Sequence, residues 1–199
     1  MTRRLVSQLK SHVQAHRHAH GASHPPPAKT AEKISITHEL PVYAGSCGAM
    51  ARGAFGELKP EGAVILARSA DGLDLHVETS GASGQPDVGR VTSGASAAAL
   101  KQALEKHAPR PARGWETRIF RVAAMHVSAV WFHRPAHPER DVFVPYTANF
   151  AGLRPGRAYS GPRVKATLKK HAMQMILRWY ERVEKERSAA PPAVRTAAH

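Results

Sequence analysis

The sequence predicts a single α+β domain: a mainly antiparallel sheet of five to six strands, packed by a long C-terminal helix and a shorter middle helix. Three observations carry this expectation. From Lys33 onward apolar residues alternate at period two, the spacing of a half-buried strand. Further short segments rich in β-branched and aromatic residues follow with brief links, which favours antiparallel neighbours covered by helices on one face. Two stretches, near 96–107 and 163–187, instead carry helical spacing. Size agrees with one domain. Of the hydrophobic positions (42% of 199 residues), 34 are alanine, and the 50 larger apolar side chains suffice for one modest core but not two.

In chain order, residues 1–31 read as a flexible, basic, His-rich tail closed by Pro25–Pro27, which stiffens into polyproline II. Ile34, Ile36, His38, Leu40 and Val42 fall on one face of a first strand, with His38 as a hydrogen-bonded core histidine. The glycines between Gly45 and Gly56 make a loop or a poor short helix around Cys47. A hairpin follows: Ala63–Ala67, a turn at Ser69–Gly72, then Leu73, Leu75 and Val77 alternating with Asp74, His76 and Glu78 towards solvent. Residues 80–90 are a Gly-, Ser- and Pro-rich loop. Ser93 or Ser96 caps the middle helix, which buries Leu100 and Leu104 and ends at Pro109.

Residues 116–133 read as strand, interrupted by a bend or bulge at Ala123–Ala124, and 141–145 as a strand ending at a sheet edge. The last helix starts near Ser160. Val164, Leu168, Ala172, Met175, Ile176, Trp179 and Val183 fall inside an arc of about 120°, one docking face. The domain thus spans 32–187, and the Ala- and Pro-rich residues 188–199 are a disordered tail. The sequence shows no internal repeat.

The formal charge is +14, with 29 Lys and Arg against 15 Asp and Glu. It is uneven: +5 over residues 1–31, −3 over 32–90 and +12 over 91–199. A pI near 10.6 points to a polyanion such as nucleic acid, or to an acidic protein surface. The sharpest run is Arg154, Arg157, Arg163, Lys165, Lys169 and Lys170, because no acid lies between Asp141 and Glu181. On a helical wheel Arg163, Lys169 and Lys170 lie outside the apolar arc and Lys165 borders it. No run of 18 apolar residues exists to cross a membrane, and no signal-peptide core follows the basic start, so a cytoplasmic location is expected.

Other constellations are weaker. His12, His16 and His20, spaced i, i+4, i+8, would line one side of a helix and bind a divalent metal weakly, without a carboxylate to orient the rings. His126, His133 and His137 with Asp141 match no metal template, although 133 and 141 could face each other across a turn. Cys47, in Gly45-Ser46-Cys47-Gly48, has a flexible approach and a short helix behind it, with His126 as a base and Asn149 as a third member. The Gly-Ser-Cys segment and the cysteine-then-histidine order resemble papain-like hydrolases, which implies a cysteine-dependent hydrolase or transferase. The aromatic residue those enzymes carry just after the cysteine is absent. With no phosphate loop and no paired carboxylates, the expected role is non-catalytic binding or assembly, with no cofactor. Membership of a larger complex is a further alternative, since Trp115, Trp131 and Trp179 crowd one small core.

Overall fold

A computed structural model describes residues 7, 9–11, 34–70, 72–80, 87–110, 113–147 and 150–189. The elements are β1 (Ile34–Ala44), α1 (Cys47–Arg52), β2 (Pro60–Ser69), β3 (Asp74–Ser80), β4 (Asp87–Ser93), α2 (Ala95–His107), β5 (Glu116–Val122), β6 (Val127–His133), β7 (Val142–Pro145), β8 (Tyr159–Ser160) and α3 (Gly161–Ala189). Ser7 and Leu9–Ser11 are also helical. The class is α+β, as expected, but the sheet is larger: eight strands in the order β4-β3-β2-β1-β5-β6-β7-β8. All neighbours pair antiparallel except β1 and β5, which run parallel at Val42–Ala44 and Ile119–Arg121.

The extra strands have identifiable causes. β4 begins inside the stretch expected to be loop and runs past its end, because Val88 and Val91 give it two half-buried anchors beside β3. β8 has two residues and survives by pairing Tyr159 with Phe143 and Ser160 with Val142. The double alanine at 123–124 marks a reversal rather than a bulge. Ala123–Met125 form a 3-10 turn, His126 takes φ 53, and β5 and β6 fold back on each other from Val122↔Val127.

Helices cover both faces, against the one-face expectation. On the first face α1 and α3 bring Met50, Val164, Leu168 and Ala172 onto Phe120, Val122, Ala129, Trp131 and Phe143. On the second face α2 packs Ala97, Leu100, Ala103 and Leu104 onto Leu40, Val42, Val64, Leu66, Ile119, Val130 and Phe132. Strand alternation makes this possible, since Ile119 and Phe120, or Val130 and Trp131, point to opposite sides. The β2–β3 part of the first face holds Ile65, Ala67, Leu75 and Val77, and Leu9 is fully buried among them. Most of the expected 1–31 tail lies outside the described residues.

Two local expectations change. The register of β1 against β2 slips between Ile36 and His38. Ile34 and Ile36 therefore serve the first-face cluster while Leu40 and Val42 serve the second, and His38 is exposed rather than in the core. α2 starts after Gly94, at φ 83, and not at a serine cap.

Candidate functional site

The cationic run is built by the link from β7 through β8 into α3. Gly156 N–H donates to the Pro145 carbonyl at 2.8 Å, and Arg154 N–H donates to Tyr159 Oη at 2.8 Å, which folds the link against the sheet edge. Tyr159 is buried and serves as a platform: the Arg163 guanidinium lies 5.1 Å and the Arg157 guanidinium 5.8 Å from its ring centroid. The next turns of α3 carry Lys169 and Lys170 outward. Arg154, Arg157, Arg163, Lys169 and Lys170 are all exposed, and none forms an ion pair with a carboxylate among the described residues. Lys165 differs. It is half-buried, with Nζ 3.9 Å from Asp141 Oδ2 and 5.9 Å from the Phe55 ring.

Asp141 itself is almost wholly buried. Its carboxylate accepts from Trp131 Nε1 at 3.0 Å, from His133 Nδ1 at 3.0 Å and from the Arg134 backbone N–H at 3.0 Å. Residues 133 and 141 thus face each other as part of a hydrogen-bonded structural hub. His137 instead meets Glu139 at 3.3 Å, and His126 sits in a different turn. Among the described residues no group of three or more His, Cys, Asp or Glu could hold a metal ion. His12, His16, His20 and Asn149 lie outside the described residues.

Cys47 occupies the first turn of α1, behind Ser46, whose Oγ accepts the Ala49 N–H at 3.1 Å. It is half-buried and packs against the first-face core. His126 is exposed and lines a cleft formed by second-face residues. Cys47 does not line that cleft, and among the described residues no hydrogen bond joins the two.

That cleft, of about 430 Å³, was not anticipated. Residues from β3, β4, β5, β6 and the start of α2 surround it: His76, Glu78, Arg90, Arg121, His126 and Tyr146, with hydroxyls from Thr92, Ser96, Ser128 and Thr147. Arg121 binds Glu78 through two hydrogen bonds, Nη1 to Oε2 at 3.0 Å and Nη2 to Oε1 at 2.9 Å. β2 and β1 lie between these strands, and their small Gly62 and Ala44 line the adjoining floor. Burial works against the Arg121 charge, but the hydrogen bonds and charge of Glu78 outweigh it and hold the pKa above its ordinary value.

His76 is 4% exposed. Burial pushes its pKa down, against the attraction of Glu78 and with the help of Arg121 and Arg90, so it is neutral near pH 7. Thr92 Oγ1 lies 3.4 Å from the His76 carbonyl, to which it donates, and 3.3 Å from His76 Nδ1. Among the described residues Nε2 has no hydrogen-bond partner, and neither does the buried Tyr146 Oη, although Arg121 and Ser128 lie near it. Burial raises the Tyr146 pKa. The sequence pattern had placed His76 on the solvent side of its strand. The Tyr146 ring, 6.2 Å away between centroids, and Thr92 lie against it, and no local spacing reveals those neighbours.

The chain matches no family model, no curated protein and no solved structure. No helix among the described residues is long and apolar enough to cross a membrane.

Proposed function

We propose that the protein is a non-catalytic binding protein whose α3 edge contacts a polyanion. The observation that supports this is the set of exposed cations without carboxylate partners among the described residues: Arg157 and Arg163 over the Tyr159 ring, Arg154 in the link before it, and Lys169 and Lys170 one to two turns along the helix. Cations held apart from acids keep their full charge for an external partner, and a phosphate or sulfate chain gains by releasing its counterions on contact. Lys165, drawn towards Asp141, adds less. Heparin chromatography tests the reading. The wild type is expected to elute at high salt, and a variant with Arg157→Glu, Arg163→Glu and Lys170→Glu much earlier. Retention no stronger than that of a neutral control contradicts it.

A second reading is favoured by the two unpartnered polar atoms in the second-face cleft. A buried polar atom without a hydrogen bond costs about 1–3 kcal/mol, and two of them along one cleft mark a place kept for something other than stability. Arg90 and Arg121 outweigh Glu78, so the cleft suits a small oxyanion that also carries a hydroxyl. Titration of inorganic phosphate and of citrate into ¹⁵N-labelled protein is expected to give saturable shifts at Arg90, Thr92 and Ser128, weakened by Arg90→Ala. Shifts that are small, uniform and unsaturable dismiss the cleft as a ligand site.

A further inference from the structure

The solvent side of α3 carries a second row that the fold does not use. Ala166, Lys170, Met173, Leu177, Tyr180 and Glu184 succeed one another at intervals of four, three, four, three and four residues. This is the a/d spacing of a coiled-coil seam. At 100° per residue the row occupies an arc of about 80°, centred about 160° round the helix from the buried trio Val164, Leu168 and Ala172. All six residues are exposed, with Met173 at 49% and Leu177 and Tyr180 each at 60%. Scattered exposed leucines need no explanation, but a contiguous row of large apolar side chains at heptad spacing does.

We propose that α3 pairs antiparallel with α3 of a second copy of this chain, crossing at the level of Met175. In that register Met173 of each copy packs against Leu177 of the other. Lys170 stands over the other copy's Tyr180, and Glu184 lies near Ala166, one turn from Lys170. The ends of the row carry opposite charges, so an antiparallel pair brings Lys170 and Glu184 together at both ends of the seam. A parallel pair would set Lys170 on Lys170 and Glu184 on Glu184. Charge therefore selects the antiparallel arrangement. Ile176 and Val183, half-buried beside the row, widen its apolar strip. An acidic protein would meet the lysines equally well but would find Glu181 and Glu184 at the far end. The row complements itself better than it complements a uniformly acidic surface.

This inference shares Lys170 with the polyanion reading but does not rest on it, and its test contains no polyanion. Sedimentation equilibrium of the full chain across a dilution series is expected to show mass rising from 21.6 kDa towards twice that value. Leu177→Asp removes a central contact at an exposed position and is expected to hold the chain at monomer mass, with an unchanged circular dichroism spectrum and melting temperature in dilute solution. Lys170→Glu and Glu184→Lys are each expected to weaken association several-fold, and the double variant to recover it. A chain that stays monomeric at every concentration overturns the proposal. So does a dimer that Leu177→Asp leaves intact, or a charge-reversed pair that associates no better than either single variant.

Discussion

Asp141 ties three parts of the molecule together through its carboxylate and its backbone carbonyl. Trp131 and His133 come from β6, Arg134 from the turn beyond it, and the Asp141 carbonyl accepts the Gly161 N–H at 2.6 Å as α3 begins. Replacing the carboxylate leaves buried donors unpaired, so Asp141→Ala is expected to cost about 2–5 kcal/mol of unfolding free energy by urea denaturation. A loss under about 1 kcal/mol would mean that water replaces the carboxylate and that the hub is not structural. The proximity of His133 and Asp141 was legible from the short turn between them. Its meaning was not, because a polar pair at that spacing looks the same whether exposed or buried. His38 fails for a related reason: period two places it with Leu40, but the slip after Ile36 depends on pairing with Ala67 and Leu66 of β2. Register against a partner strand is a tertiary property.

α3 shows what a single element discloses about itself. Its wheel identifies the docking stripe, and Val164, Leu168 and Ala172 at the start of that stripe are buried. The stripe outruns the sheet. Met175 and Trp179, on the same side, are 37% and 56% exposed, because the helix of 29 residues is about 43 Å long and only its first half finds strands beneath it. The two halves of the stripe therefore differ in energy. Leu168→Ala is expected to destabilise by about 2–5 kcal/mol, as burial and the resulting cavity dictate, whereas Trp179→Ala costs about 0.5 kcal/mol or less in dilute protein. Thermal melts of the two variants separate these outcomes, and a comparable loss at Trp179 would show that the far half is also covered within one chain. Periodicity gives the direction of a helix face but not how far the surface beneath it extends.

At the scale of the whole molecule the chain is built twice. A four-stranded meander and a helix, β1–β4 with α2, is followed by another, β5–β8 with α3. β1 and β5 run parallel, and the helix that closes each meander lies on the opposite face from the other. The sequence shows no such repeat, since strand alternation and a helical stripe can be met by many different residues. Two faces are covered because the helix after each meander lies on a different side, and α1 from the first meander joins α3 on the first face. The duplication also divides the charge. The first half contains the mildly acidic segment, and the second half ends in the cation-rich link and helix. Charge was the most legible property of the chain, because long cationic side chains stay at the surface unless a buried acid captures them, as Asp141 partly captures Lys165.

The most direct test of that division is the affinity for a duplex DNA fragment measured against salt concentration. With Arg154, Arg157, Arg163, Lys169 and Lys170 each meeting a phosphate, the log–log slope is expected near about −4.5, falling towards zero when the five are reversed to glutamate. A wild-type slope close to zero, or one that the five reversals leave unchanged, would contradict the account.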